Sequence, residues 1–198
     1  MIIKEHNLSP LDIESVVFSD DFTFSFIPGG TTDKAYPGLA HTLVDRIENI
    51  NKDLGQEARI KSKYWDSHFG EIFYEFTKRN KIEVTRVTRA AVNLIFHQDA
   101  EQPYGGIHID HYFPHYNFLY CINSFGEGAT YLFDKKADDG DPNKLPSPQP
   151  IREAIQHKKN DAVCFDGNIY HAGGFPAVND WRCIFVVTFT GIIDGVQQ

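Results

Sequence analysis

The C-terminal part of this chain is a series of short β-rich runs separated by turn residues, and this pattern constrains the fold most. From Ile82 onward, branched and aromatic residues cluster in short segments bounded by Gly, Pro and Asp, as they do in strands. The predicted strands are residues 85–96, 106–110, 117–122, 129–133, 161–165 and 182–190. Many short strands of this kind favour a sandwich or a barrel. The 16 phenylalanines fit a packed β-rich core.

The N-terminal part predicts one strand and two helices. Residues 22–27 alternate apolar and polar side chains before a Pro-Gly-Gly turn, which predicts a strand. A first helix is predicted from Pro37 to Gly55, on the spacing of Leu39, Leu43, Ile47 and Ile50. A second helix is predicted over 62–79, with an apolar stripe of Trp65, Phe69, Ile72, Phe73 and Phe76. We therefore expect one domain, 1–198, with helical support at about 37–80 and a β core at about 82–192.

Charge and composition exclude some functions. The net charge of −8 argues against a general nucleic-acid binder, whose surface would be basic. No uninterrupted apolar run reaches 18 residues, and the first residues lack the apolar core of a signal peptide. Three cysteines, Cys121, Cys164 and Cys183, lie in apolar runs, which indicates free thiols in a reducing compartment. We expect a cytoplasmic protein without a membrane segment.

Two short motifs supply the parts of one metal site. His108 and Asp110 lie two residues apart in an alternating run, so on a strand their side chains share one face. His171 follows a predicted buried strand and stands among small residues. Two imidazoles and one carboxylate form the facial triad that suits non-haem Fe(II) and leaves coordination positions open. The sequence therefore predicts a metal site at His108, Asp110 and His171.

Arg182 begins an otherwise apolar strand, where a guanidinium is costly to bury unless it is paired. Its partner is either a structural carboxylate of the chain or the carboxylate of a ligand, which an arginine grips in two places. Beside a metal site, the second alternative is favoured.

Residues 86–192 resemble the catalytic core of the Fe(II)/2-oxoglutarate-dependent dioxygenases, in their prolyl 4-hydroxylase-like branch. The resemblance rests on the His108-x-Asp110 motif, His171 61 positions after Asp110, Arg182, and the segment Glu127–Phe133. It implies a double-stranded β-helix (jelly roll), with Fe(II), 2-oxoglutarate and O2 as reactants and ascorbate as an optional reductant. It also implies that Arg182 holds the far carboxylate of 2-oxoglutarate. Because Asp110 is present where related halogenases lack the carboxylate, hydroxylation of a C–H bond is expected.

Four further residues are candidate contacts to 2-oxoglutarate by the same resemblance: Asn93, Tyr104, Tyr120 and Thr188. Ordinary core packing is the alternative for each of them. Cys121 stands where the family pattern has a tyrosine that contacts the far carboxylate. The Pro- and Asp-rich insert at about 135–150 is either a plain connection or a lid over the site.

The substrate is left open among a peptide, a free amino acid such as proline, and another small molecule. The resemblance also disfavours a nucleic-acid substrate: the nucleic-acid demethylases of that superfamily typically carry a further arginine soon after the one that binds 2-oxoglutarate, and no arginine follows Arg182. Two other functional classes remain as alternatives: a cupin-type metalloenzyme that does not use 2-oxoglutarate, and a non-catalytic jelly-roll binding module. The sequence gives no indication of the oligomeric state.

Overall fold

The computed structural model describes residues 1–9, 11–28, 37–49, 51–136, 150–193 and 196–197. Its helical elements are α1 (Ile13–Val17), a π-helical turn (Trp65–Phe69) and α2 (Gly70–Arg79), which continues directly from that turn. Its strands are β1 (Ile2–Glu5), β2 (Ser25–Ile27), β3 (Gly38–Val44), β4 (Glu83–Phe96), β5 (Tyr116–Cys121), β6 (Thr130–Lys136), β7 (Ile151–Ile155), β8 (Ala162–Asp166), β9 (Ile169–Gly173), β10 (Trp181–Ile193) and β11 (Val196–Gln197). Within these residues no helix is both long and apolar enough to cross a membrane.

The strands form two antiparallel sheets. The large sheet has the order β1-β8-β5-β10-β4-β3-β2, with β11 paired to β10, and the small sheet has the order β7-β6-β9. Strand β10 lies at the centre of the large sheet, where it pairs with both β4 and β5. The mainly β architecture expected from the alternating runs is confirmed.

The two sheets enclose an apolar interior. Directly opposed residues of antiparallel strands point to one face, and Ile184 of β10 is opposed by Asn93 of β4 and Cys121 of β5. The inner cluster joins side chains of both sheets: Leu119, Cys121, Leu132, Ile155, Val163, Phe165, Ile169 and Ile184. Arg182 and Thr188 share the inner face of β10 with Ile184, because they lie an even number of residues from it.

The outer face of the large sheet packs against the π-helical turn and α2 through aromatic rings. Phe69 contacts Phe185 with ring centroids 4.9 Å apart, and Phe73 lies 5.5 Å from Phe118 and 5.1 Å from Phe189. These side chains are fully buried. The second predicted helix and the packing of its apolar stripe against the sheet are therefore confirmed.

The first predicted helix is wrong: residues 38–44 form strand β3, which pairs with β4. The separation of four between Leu39 and Leu43 places both side chains on one face of a helix, but it does the same on a strand, since four is even. Leu43 belongs to the helix-facing core, the apolar cluster between the helices and the outer face of the large sheet, and the partly buried Leu39 packs against it. Pairing with the free edge of β4 outweighs the local helical pattern, so helical support is confined to α1 and residues 65–79.

Other predicted boundaries also change. The strand expected at 22–27 comprises only Ser25–Ile27, and β1, β7, β9 and β11 were not predicted. Strand β6 extends to Lys136, and β7 begins at Ile151. Residues 137–149, most of the insert for which a lid was considered, lie outside the described residues.

Truncation of Phe185 is expected to destabilise the protein strongly. This fully buried ring contacts Phe69, Trp65 and Phe118, so Phe185→Ala should lower the free energy of unfolding by about 3–5 kcal/mol. Val178 is 66% exposed, and the control Val178→Ala should change it by less than about 0.5 kcal/mol. Equilibrium urea unfolding measures both. A loss below about 1 kcal/mol for Phe185→Ala would show that the interface between helix and sheet is loosely packed.

Candidate metal centre

Three side chains converge between the sheets in the arrangement that the sequence predicts. The ligand atoms of His108, Asp110 and His171 all lie within 4.8 Å of one another. His171 belongs to β9, and its backbone exchanges two hydrogen bonds with His108: His108 N–H donates to His171 O (3.0 Å), and His171 N–H donates to His108 O (2.9 Å). Opposed in this way, the two imidazoles face the same side, with centroids 4.6 Å apart. The strand predicted at 106–110 is reduced to this single bridge, which is nevertheless enough to bring the motifs together.

Backbone carbonyls orient both imidazoles. His108 Nδ1 lies 2.9 Å from Gly106 O, and His171 Nδ1 lies 3.1 Å from Ile169 O. A carbonyl accepts only, so each Nδ1 carries the proton and each Nε2 presents its lone pair. This arrangement fixes the tautomer that a metal-ligating histidine needs.

The two carboxylate oxygens of Asp110 face different groups. Oδ1 accepts hydrogen bonds from Arg46 Nη2 (3.0 Å) and Arg89 Nη1 (3.2 Å). Oδ2 faces His171 Nε2 at 3.5 Å. Burial opposes ionisation of Asp110, but the proximity of His171 and the positive charge of Arg89 hold its pKa well below the usual range. An ionised carboxylate with one oxygen already engaged offers the other as a single ligand.

Asn117 completes the surroundings of these groups. Its Nδ2 donates to Asp110 Oδ2 (3.2 Å) and lies 3.3 Å from His171 Nε2. Across the large sheet, Asn117 is opposed by Thr188 on β10 and by Phe165 on β8. The Phe165 ring meets the His171 imidazole edge-on at 5.2 Å, so the large sheet forms a wall opposite the three candidate ligands.

Arg182 lies buried on the inner face of β10. Its Nε donates to Gly128 O (2.9 Å) and its Nη2 to Thr130 Oγ1 (2.8 Å). Among the described residues, no carboxylate forms an ion pair with it. Burial lowers its pKa to about 10, so the guanidinium remains charged at neutral pH. Of the two partners considered for Arg182, a structural carboxylate is not found in the described part of the chain.

Gly173 allows the side chain of Arg182 to pack closely against β9. A Cβ built at Gly173 would lie 3.2 Å from Arg182 Nη1. Gly173 and His171 share the inner face of β9, two residues apart, which is about 7 Å along a strand. The charged end of Arg182 thus lies against β9, two residues along that strand from His171.

Thr130 links Arg182 to a buried histidine. Its hydroxyl oxygen accepts from Arg182 and lies 2.8 Å from His157 Nε2, so the hydroxyl proton is free to donate to an unprotonated Nε2. Burial, and then the charge of Arg182, lower the pKa of His157 to about 3. His157 therefore stays neutral at physiological pH and adds no second charge beside Arg182.

Of the four further candidates for contact with 2-oxoglutarate, two lie on the inner face of the large sheet. Asn93 lies on the inner face of β4, opposite Ile184, and is partly exposed. Thr188 is also on the inner face, but its hydroxyl is engaged by Thr88 Oγ1 (2.8 Å) and His111 Nε2 (2.9 Å).

The two tyrosines lie on outer faces, away from the interior between the sheets. Tyr120 belongs to the helix-facing core, and its hydroxyl donates to Asn160 Oδ1 (2.8 Å). Tyr104 packs with Tyr131 (4.9 Å) and Phe133 (5.4 Å) on the outer side of the small sheet. The structure does not bring either hydroxyl to Arg182 or to the three candidate ligands.

Sequence reasoning missed Asn117, Arg46 and Arg89. Asn117 and Arg89 had a usable signal, because each is a polar residue within a predicted buried strand, in step with its inner-face neighbours. Arg46 had none, since it lies just after β3, in a region for which a helix was expected.

Comparisons with known proteins give the fold. No protein-family model matches the sequence, and no curated protein matches it.

Three solved structures superpose over most of the chain. A prolyl-4-hydroxylase of Pseudomonas putida has a TM-score of 0.54 at 8% identity, covering 95% of this chain and 91% of that one. A prolyl hydroxylase of Trichoplax adhaerens, solved with a hypoxia-inducible-factor peptide, has a TM-score of 0.53 at 13% identity, covering 95% of this chain and 82% of that one. The α-ketoglutarate-dependent epimerase SnoN of nogalamycin biosynthesis has a TM-score of 0.58 at 9% identity, covering 98% of this chain and 82% of that one. The predicted double-stranded β-helix fold is therefore confirmed, and it is the fold of 2-oxoglutarate–Fe(II) oxygenases.

Loss of the Asp110 charge is expected to abolish tight metal binding. Asp110→Asn keeps the shape but removes the anion, so Mn(II) affinity should fall more than about 100-fold, beyond the range typical of residues that only support a ligand. Binding is measured by the electron paramagnetic resonance signal of free Mn(II). The matched control is His6→Gln, because His6 is exposed and outside the cluster. Equal affinity in wild type and Asp110→Asn would exclude Asp110 as a ligand.

The stability of the protein is expected to fall in acid, in part because of His157. The folded state holds its pKa at about 3, whereas the unfolded value is about 6.5. Between these values the unfolded chain binds the extra proton, so this contribution is complete above pH 6.5 and is lost as the pH falls towards 3. Between pH 7.5 and 5.0, His157→Gln should lose about 2 kcal/mol less unfolding free energy than wild type. Urea unfolding at the two pH values tests this, and identical losses in both proteins would contradict it.

Proposed function

We propose that this protein is a non-haem Fe(II) oxygenase that uses 2-oxoglutarate to oxidise a C–H bond. The observation that carries the proposal is the pairing of two features in one interior: three convergent ligands of the facial-triad type, and a buried, charged Arg182 without a carboxylate partner among the described residues. The first fits Fe(II) with open positions, and the second fits the far carboxylate of a dicarboxylic acid.

His108 Nε2, His171 Nε2 and Asp110 Oδ2 would hold the iron. The carbonyls of Gly106 and Ile169 keep the imidazoles in the ligating tautomer, and the arginines on Oδ1 keep the carboxylate ionised. When bound, the iron would supply O2 activation coupled to oxidative decarboxylation of 2-oxoglutarate. Because the carboxylate of Asp110 is present, it would occupy the coordination position that halide chemistry needs, which favours hydroxylation.

Arg182 would fix the cosubstrate. Its guanidinium would grip the far carboxylate, and Thr130 would keep the guanidinium in place. Arg182 packs against Gly173 of β9, two residues from His171, so a dicarboxylate held by both the metal and Arg182 would run along β9. Asn93, on the same inner face, is the best placed of the other predicted contacts. A cupin-type enzyme without 2-oxoglutarate would leave Arg182 without a function.

The finer assignments are part of the same proposal. A peptidyl or free amino acid, proline-like in shape, is the preferred substrate class, and prolyl hydroxylases share the fold. The three cysteines are free and buried, which supports a reducing, cytoplasmic location. Ascorbate would serve as an auxiliary reductant.

Binding of 2-oxoglutarate is expected to stabilise the Mn(II)-loaded protein through Arg182. At a concentration about 100 times its Kd, the ligand should add about 2.7 kcal/mol, which raises Tm by roughly 5–10 °C for a chain of this size. Arg182→Gln should abolish this increment but retain the stabilisation by Mn(II). Arg59→Gln, a change at an exposed arginine paired with Asp45, is the control and should respond like wild type.

Differential scanning fluorimetry with Mn(II) alone and with Mn(II) plus 2-oxoglutarate measures the shift. Formation of succinate with Fe(II) and ascorbate, and its loss in His108→Ala, tests turnover in the same preparations. A full response to 2-oxoglutarate in Arg182→Gln, or none in wild type, would refute the assigned cosubstrate.

A further inference from the structure

Two guanidinium groups share the outer oxygen of Asp110. Arg46 donates through Nη2 to Asp110 Oδ1 (3.0 Å) and through Nη1 to the Asp110 backbone oxygen (2.6 Å), and Arg89 donates through Nη1 to Oδ1 (3.2 Å). The two nitrogens that bind Oδ1 are therefore at most about 6 Å apart. Like charges at this separation repel, and one carboxylate compensates only one of them.

Neither arginine has a second carboxylate among the described residues. Asp45, next to Arg46 in the chain, is already paired with Arg59 and Lys61. The pair Arg46 and Arg89 thus leaves one positive charge uncompensated beside a candidate metal ligand.

Most donors of this pair remain available. A guanidinium has five N–H donors, of which the hydrogen bonds above use two in Arg46 and one in Arg89. The side chains of Arg46 and Arg89 are 36% and 22% exposed, against 4% for Asp110. The two arginines therefore form the solvent side of the carboxylate.

The position of Arg89 connects this charge to the interior. Arg89 is opposed on β10 by Thr188, which is opposed in turn by Asn117 on β5. These residues form one row across the inner face of the large sheet, and Asn117 contacts Asp110 and His171. A molecule that enters from the arginine side would thus meet the free donors just before the candidate metal ligands.

We propose that Arg46 and Arg89 bind a carboxylate of the primary substrate. This inference rests on the proposed function and narrows it: the substrate is a small acid, such as a free amino acid, and not a residue inside a peptide or a neutral metabolite. Planar guanidinium forks match a carboxylate in shape and charge. In the loaded site, a divalent ion and dianionic 2-oxoglutarate would cancel, and Asp110 would offset one of the three arginines, so an anionic substrate would meet two uncompensated positive charges.

The test is anion binding by nuclear magnetic resonance, independent of turnover. Uniformly 15N-labelled protein is saturated with diamagnetic Zn(II) and 2-oxoglutarate and titrated at constant ionic strength with sodium acetate or with acetamide, its neutral counterpart. The Nε–Hε signals of Arg46 and Arg89 are assigned from the variants Arg46→Lys and Arg89→Lys. We expect saturable shifts of these signals with acetate and none with acetamide.

Arg46→Gln should weaken acetate binding about tenfold or more, as expected for loss of a hydrogen bond to a charged group. Arg79→Gln, a change at an exposed arginine of α2 that pairs with Glu75, is the control and should bind as wild type does. Zn(II) saturation and thermal unfolding are verified for each variant, so that loss of the metal or the fold is not mistaken for loss of the anion site. Equal shifts with acetate and acetamide, non-saturable shifts, or unchanged affinity in Arg46→Gln would overturn the proposal.

Failure of the proposed function gives a different result. The Nε–Hε signal of Arg182 reports 2-oxoglutarate before acetate is added. If Arg182 does not respond to 2-oxoglutarate, the cosubstrate assignment fails, whatever the acetate titration gives. If Arg182 responds but Arg46 and Arg89 do not bind acetate, the oxygenase proposal stands and the acidic substrate is refuted.

Discussion

The site depends on one backbone contact, the pair of hydrogen bonds exchanged by His108 and His171. These residues lie 63 positions apart in the chain, and their opposition places two imidazoles on one face. Each imidazole then turns its Nδ1 to a carbonyl two residues earlier in its own segment. A single bridge outside the regular strands thus sets ligand spacing and tautomer together, and Asp110, two residues later, follows from the same geometry.

The sequence predicted what depends on local alternation, and it failed where pairing partners decide. His108, Asp110 and His171 form a recognisable set because the chemistry needs particular side chains at fixed spacing. Leu39 and Leu43 misled because their separation fits a helix and a strand equally, and only the open edge of β4 selects the strand. Tyr120 was considered for the interior, yet the register of β5 turns it towards the helices. Strand register is a tertiary property, so a single sequence specifies it weakly.

The residues that surround the ligands show the same limit. Arg46 reaches Asp110 across 64 positions, and no local pattern announces that contact. Asn117 looked like one polar residue in an apolar strand, a common feature of a core. Its role becomes visible only when β5 is placed opposite β9, where its amide lies between Asp110 and His171. Long-range contacts of this kind are the ones that tune a site, and they carry no sequence period.

The candidate metal ligands and the buried Arg182 belong to different layers of the molecule. His171 is on the small sheet and His108 is bridged to it, whereas Arg182 is on the large sheet, tied to the small one by its bonds to Gly128 and Thr130. The apolar inner cluster holds the two layers at a fixed separation. Volume changes in that cluster, far from the candidate ligands, would therefore move β10 relative to β9 and leave His108 and His171 in register with each other. In the proposed function, the length of dicarboxylic acid that fits between Arg182 and the metal would then depend on the hydrophobic core as well as on the residues that touch the acid.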